Sequence, residues 1–158
     1  EGFIQSLSSE ITRRVLGDIR AIEGAVDAAR AYRGLKAVAS SSPKVELHGK
    51  IRGLGLWDEF AGHVYSGDDV ARGKPAPDLF LLAAKQLDVD PARCLVIEDS
   101  VNGVKAGIAA GATVWGFTGG PHCLPWDRRR PHQRRCLTTR LHRCLAPSAR
   151  RRRACRLC

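Results

Sequence analysis

Short apolar runs alternate with stretches of helical periodicity along most of the chain. Four of these runs, at residues 35–39, 63–66, 93–99 and 113–120, are bounded by polar or turn-forming residues, so each predicts a β-strand. Strands that alternate with helices indicate an α/β fold built on a parallel sheet, because parallel neighbours are joined by crossover helices. In such a sheet, ligands bind beyond the carboxyl ends of the strands.

The clearest helical pattern lies within residues 73–89, where Pro75 and Pro77 mark the start of the helix. A second strong pattern, at residues 100–111, predicts a helix that ends at Gly111, since glycine accepts the backbone conformation that stops a helix. Helical patterns also occur at residues 3–32 and 45–60.

The positive charge of the chain is concentrated near its end. The net charge is +10, but residues 1–120 carry 14 Lys and Arg against 15 Asp and Glu, and residues 121–158 carry 12 Arg and a single acid. The periodicity that predicts helices and strands also fails after Gly120. We therefore interpret residues 121–158 as a separate tail, and the basic charge does not describe the α/β body.

Polar side chains follow three of the predicted strands and would meet at one edge of a parallel sheet. Hydroxyls and backbone N–H groups can hold phosphate oxygens, and an ammonium can neutralise a phosphate as a point charge. Adjacent carboxylates can hold Mg²⁺ through their oxygens. The residues concerned are Ser40 and Ser41 after the first strand, Lys74 after the second, and Glu98 and Asp99 at the end of the third.

Each of these features has an ordinary structural interpretation. A serine run is common in turns, and an acidic pair before a helix can supply its N-cap, here through Asp99 or Ser100. A lysine before a proline is usually solvated, and we interpret Lys44 in the same way, although it could contact a substrate. The ordered placement of all three features at strand ends instead favours phosphoryl transfer, which depends on positioning and charge neutralisation.

The segments "VASSS", "ARGKPAPDLFLLAA" and "CLVIEDSVNGVKAGIAAGATVWGFTGG" resemble three motifs of the haloacid dehalogenase-like hydrolases. They are most similar to the subgroup with a helical cap, which includes β-phosphoglucomutase and phosphoglycolate or phosphogluconate phosphatases. By position, the resemblance implies that Ser40 binds the transferring phosphoryl group with the Ser41 backbone, and that Lys74 bridges phosphate and nucleophile. It also implies that Asp99 ligates Mg²⁺ and that Glu98 supports the ion directly or through water.

The fold class that the resemblance implies is α/β, with a partial Rossmann-like parallel sheet in residues 21–120. Residues 1–20 would be a remnant of the helical cap. The reaction would be hydrolysis of a small phosphate monoester, such as a sugar phosphate, phosphogluconate or phosphoglycolate, through an aspartyl phosphate. A sugar-phosphate mutase of the β-phosphoglucomutase type is the alternative.

The family's nucleophile motif, D-x-D-G-[TV] after a first strand, does not occur in this sequence. The pair Asp88 and Asp90 has the D-x-D spacing, but Pro91 follows it and it falls between a predicted helix and a predicted strand. We therefore expect a fragment without its natural start, catalytically incompetent because the covalent step lacks its nucleophile, and weak in magnesium binding.

The tail, residues 121–158, leaves several interpretations open. A frameshift or a mis-joined sequence would explain the abrupt change of pattern, and we then expect disorder. A genuine tail would bind nucleic acid through its arginines without reading bases. A third alternative is a non-catalytic scaffold that still binds a phosphorylated ligand. We expect a small phosphorylated metabolite as the partner, and nucleic acid only if the tail is genuine.

No apolar stretch reaches the ~18 residues that a membrane span needs, and no secretory leader pattern opens the sequence. We therefore expect a cytoplasmic protein without a membrane partner. The sequence leaves the oligomeric state open.

Overall fold

The computed structural model describes residue 17, residues 19–117 and residues 156–157, and this part of the chain is an α/β fold. Its helices are α1 (Ala25–Ala31), α2 (Lys44–Gly53), α3 (Asp78–Gln86) and α4 (Val101–Ala109). Its strands are β1 (Val38–Ser40), β2 (Val64–Ser66), β3 (Cys94–Glu98), β4 (Thr113–Gly116) and β5 (Arg156–Leu157). Single 3-10 turns occur at Asp58–Phe60, Gly67–Asp69 and Pro91–Arg93.

The strands form two separate parallel ladders among the described residues. In one ladder β1 pairs with β2, with Val38 opposite Val64 and Ser40 opposite Ser66. In the other ladder β3 lies between β4 and β5, and both of its neighbours run parallel to it. No ladder hydrogen bonds join β1 to β3 in this part of the chain. Helix α2 connects β1 to β2 and helix α4 connects β3 to β4, as the parallel direction of these two pairs requires.

Each ladder has its own group of buried side chains. Residues of α2 and β2, with Leu56, form the first cluster, against which Val38 of β1 packs. Phe80 of α3 and Val96 of β3 lie in the second cluster, with Ala39 of β1 packed against it. Helix α3 also contacts β1, β2 and α4, so it connects the two ladders.

Helix α3 is shorter than the pattern at residues 73–89 predicts. Pro77 is its N-cap residue, and the chain before Pro77 forms a loop that contains the cis Lys74–Pro75 peptide bond. Prolines lack the N–H that a helix interior requires, and this explains the later start. The face of α3 that packs inward is apolar, as expected: Leu79, Phe80, Ala83 and Ala84.

The strand predicted at residues 35–39 begins later, at Val38. Within the predicted strand, the Lys36 ammonium donates hydrogen bonds to the carbonyl oxygens of Ala29 and Tyr32 (3.0 Å for Tyr32). Lys36 also pairs with Glu59 at 3.1 Å. The Lys36 side chain therefore connects this segment to the end of α1 and to the 3-10 turn at Asp58–Phe60.

The prediction of an α/β fold with parallel strands is confirmed. Helix α4 is capped by the Ser100 hydroxyl, which accepts a hydrogen bond from the Gly103 N–H at 3.0 Å, and Gly111 follows it with a φ of 82°. Most of the predicted cap remnant (1–20) and most of the predicted tail (121–158) lie outside the described residues, which include only residues 17, 19 and 20 of the first and residues 156–157 of the second. Within the described part, no helix is long and apolar enough to cross a membrane.

Candidate active site

Lys74 lies between the carboxyl ends of the two ladders. Its ammonium donates a hydrogen bond to the Ala39 carbonyl oxygen of β1 at 3.0 Å and forms an ion pair with Glu98 at the end of β3. The Lys74 side chain is only 6% exposed, and its ammonium lies 4.6 Å from the centre of the Phe80 ring. The structure thus brings two of the sequence-predicted site residues into direct contact, beside the backbone of a third, Ser40.

Glu98 is fixed from several directions. Besides Lys74, its carboxylate accepts hydrogen bonds from the Ser100 hydroxyl at 3.0 Å and the Ser100 N–H at 3.2 Å. Its carboxylate also lies over Gly103 at the start of α4, where a Cβ atom would overlap it. A side chain at this position would therefore force the Glu98 carboxylate to move.

Asp99 differs from Glu98 in the polar partners of its carboxylate. It is half-buried, and its carboxylate makes no hydrogen bond or ion pair in the part of the chain that the structure describes. Mg²⁺ is commonly held by one or two protein carboxylates together with water and phosphate oxygens, so the Asp99 carboxylate fits the ion. Glu98 fits a supporting role better, because Lys74 and Ser100 already use its oxygens. No group of three His, Cys, Asp or Glu side chains that could hold a metal occurs among the described residues.

The predicted phosphate-binding serines form the loop after β1. The Ser40 hydroxyl accepts a hydrogen bond from the Ser42 N–H at 3.2 Å, and Ser41 is exposed. The predicted roles of Ser40, Ser41, Lys74, Glu98 and Asp99 remain predictions. Ser40 and Glu98 are the last residues of β1 and β3, and Ser41 and Asp99 follow them directly. Lys74 lies in the loop before α3, eight residues beyond the end of β2.

Sequence reasoning did not anticipate the partner of Lys44. This side chain is 51% exposed, as expected for a solvated lysine, but its ammonium pairs with Asp69 at 2.6 Å. Asp69 also accepts a hydrogen bond from the Ser66 N–H at 2.8 Å. The hydrogen bond from Lys44, followed by that from Ser66, lowers the pKa of the Asp69 carboxyl below its ordinary value. Lys44 and Asp69 are 25 positions apart, so no local sequence pattern predicts that they pair.

We expect Asp69→Asn to lower the free energy of unfolding by about 1 kcal/mol at pH 7, the usual worth of a capping carboxylate. Because the folded pKa of Asp69 lies below the unfolded value of about 3.9, its contribution is complete above that value. The contribution is lost as pH falls through the lower folded pKa. Urea unfolding between pH 7 and pH 3 should therefore show the variant converging on the wild type in acid.

The matched control is Asp88→Asn. The Asp88 carboxylate makes no hydrogen bond or ion pair with the described residues, and its φ of 53° suits asparagine. This control should keep the wild-type stability throughout the pH range. If the free energies of unfolding of Asp69→Asn and wild type differed by the same amount down to pH 3, the lowered pKa assigned to Asp69 would be wrong.

The comparisons with known proteins agree on one family. The family model for haloacid dehalogenase-like hydrolases matches residues 6–111. The chain is 51% identical over 78 residues to the bifunctional riboflavin kinase/FMN phosphatase of Arabidopsis thaliana, covering 49% of this chain and 21% of that protein. It is 33% identical over 117 residues to 6-phosphogluconate phosphatase of Escherichia coli (strain K12), covering 74% of this chain and 53% of that protein.

A solved structure supports the same relationship. The HAD family hydrolase from Deinococcus radiodurans R1, crystallised with bound phosphate and sodium, superposes with a TM-score of 0.64 at 44% identity. The superposition covers 73% of this chain and 52% of that one. The chain therefore spans about half, or less, of the length of these proteins. Since the family model matches more than half of this chain, the protein belongs to the haloacid dehalogenase-like hydrolases.

Proposed function

We propose that the carboxyl ends of β1 and β3 form the phosphate- and magnesium-binding part of a phosphatase site for small phosphate monoesters. The observation that carries this proposal is the position of Lys74, a nearly buried ammonium held between the backbone of one ladder and a carboxylate of the other. A lysine held in this way keeps its ammonium beside the last residues of β1, from which the loop that begins at Ser40 continues.

The loop and the ammonium have complementary tasks. The Ser40 hydroxyl and the backbone N–H groups that follow it would hold phosphate oxygens, while Lys74 neutralises the charge that these oxygens carry. Charge neutralisation and positioning account for most of the catalysis of phosphoryl transfer. When bound, Mg²⁺ would neutralise further charge on the phosphate, with Asp99 as its ligand and Glu98 in support.

The class of substrate rests on the relatives. The two curated relatives are named for FMN and 6-phosphogluconate, and both compounds are phosphate monoesters of small molecules. This chain spans only part of either protein, so the proposal extends to the class of substrate and not to one compound.

Equilibrium binding of inorganic phosphate with Mg²⁺, measured by isothermal titration calorimetry, tests the proposal. We expect Ser40→Ala and Lys74→Met each to weaken phosphate binding by about tenfold or more, because each removes a direct partner of the anion. Lys85→Met is the matched control, since Lys85 is exposed at the far end of α3. Equal affinities for wild type, Ser40→Ala and Lys74→Met would overturn the proposal.

A turnover assay completes this test. We expect residues 1–158 alone to bind phosphate without hydrolysing p-nitrophenyl phosphate, because the sequence contains no D-x-D-G-[TV] motif to supply the nucleophile. Magnesium-dependent turnover that Lys74→Met abolishes would show that a nucleophile is present after all.

A further inference from the structure

The 3-10 turn after β2 packs directly onto the serine loop after β1. We call Ser66–Asp69 the clamp turn and Ser40–Lys44 the phosphate loop. The two segments follow neighbouring strands, since Ser40 lies opposite Ser66 in the ladder. Neither the family's catalytic chemistry nor the pattern of the sequence gives the clamp turn a role of its own.

Ser66 is the buried end of this arrangement. It is 0% exposed, and its hydroxyl donates a hydrogen bond to the Ser42 carbonyl oxygen at 2.8 Å. The same hydroxyl accepts a hydrogen bond from the Asp68 N–H at 3.1 Å. A single buried side chain thus joins the backbone of the phosphate loop to the backbone of the clamp turn, with both of its hydrogen-bonding functions used.

The two acidic residues of the clamp turn hold the other end of the phosphate loop. The Asp68 carboxylate accepts a hydrogen bond from the Lys44 N–H at 2.8 Å, and the Asp69 carboxylate pairs with the Lys44 ammonium at 2.6 Å. Asp69 is itself fixed by the N–H of Ser66. The phosphate loop is therefore held at Ser42 and again at Lys44.

At Ser41, next to the first of these two points, the backbones of the two segments are also in close contact. A Cβ atom at Gly67 would lie 3.3 Å from the Ser41 carbonyl oxygen and 3.5 Å from the Ser41 Cα. A side chain at residue 67 would therefore press on the backbone that we propose as a phosphate contact. The glycine allows the clamp turn to support the loop along its length.

We infer that the clamp turn is a positioning element that fixes the phosphate loop in its binding conformation before the ligand arrives. This inference rests on the proposed function, because it assigns a purpose to order in the Ser40–Lys44 loop. Preorganised donors bind an anion more tightly than donors that must first be ordered. Asp68 and Ser66 act through the loop and do not contact the phosphate.

The experiment compares Asp68→Ala with Asp90→Ala. Asp90 is a matched control: its carboxylate likewise accepts one backbone N–H, that of Ala92 at 2.9 Å, but it lies just before β3, at the end of that strand opposite to Glu98. Inorganic phosphate affinity is measured with Mg²⁺ for each variant, alongside stability in urea. We expect Asp68→Ala to weaken phosphate binding at least about fivefold, Asp68→Asn to restore most of it, and Asp90→Ala to leave it unchanged within about twofold.

Amide hydrogen exchange gives a readout that does not depend on phosphate. Asp68→Ala should accelerate exchange of the Lys44 N–H, whereas Asp90→Ala should not. Unchanged phosphate affinity in Asp68→Ala, with Ser40→Ala still weakened, would overturn the positioning role and leave the proposed function standing. Absence of phosphate binding by the wild type, or no effect of Ser40→Ala, would overturn the proposed function and the positioning role together.

Discussion

Replacing Lys74 with methionine is expected to lower the free energy of unfolding by about 3–5 kcal/mol. The substitution preserves much of the side-chain volume but leaves Glu98, whose side chain is 10% exposed, without its counter-ion. Removing one partner of a buried ion pair is costly because the remaining charge stays desolvated. The Ala39 carbonyl oxygen also loses its hydrogen bond. Urea unfolding at pH 7 measures the effect, with Lys85→Met as the exposed control, expected to fall within about 0.5 kcal/mol of wild type.

A double-mutant cycle separates the ion pair from the rest of this effect. The double variant Lys74→Met, Glu98→Gln should cost about 1–3 kcal/mol less than the sum of the two single variants, since neither unpaired charge remains. Strict additivity of the single effects would mean that the two side chains do not interact in solution.

Replacing Gly103 with alanine is expected to destabilise the protein by about 2–3 kcal/mol. The same substitution inside a helix ordinarily stabilises a protein by about 1 kcal/mol. The added methyl group would occupy the space of the Glu98 carboxylate and force that side chain away from Lys74 and Ser100. The variant should therefore also weaken phosphate binding, if Lys74 acts as proposed.

Gly53→Ala is the matched control for this substitution. Gly53 closes α2, its φ is not positive, and a Cβ atom there would meet nothing within 4 Å. It should be neutral or more stable than wild type by up to about 1 kcal/mol. If both glycine variants behave alike in urea unfolding, the close approach of Glu98 to α4 does not constrain the protein.

The carboxyl end of β3 and the start of α3 could be predicted from the sequence to within a residue or two. Glu98 ends a run of apolar residues, and Lys74 precedes a helix with a proline-rich start, so both could be assigned to one sheet edge. Local patterns of this kind depend on the period of a strand or helix, which the chain displays directly. The N-cap role of Ser100 could be read in the same way.

Features that depend on tertiary contacts were missed. The pairing of Asp69 with Lys44 depends on how the turns after β1 and β2 lie beside each other, and no period along the chain records it. The effect of a side chain at residue 103 depends on the direction of one other side chain, that of Glu98. The predicted run begins at Leu35, whereas β1 begins three residues later, at Val38; Lys36 in between contacts the end of α1, and no local pattern records that contact.

The division of the strands into two ladders has a thermodynamic consequence. Each ladder has its own buried cluster, and α3 with Lys74 supplies the main connection, so the described region contains two potential units of partial unfolding. The candidate site contains residues of both units, so it is intact only when both units are folded and packed together. A ligand that contacts Ser40 and Asp99 together would bind only the closed arrangement, and its binding energy would add to the cooperativity between the two halves.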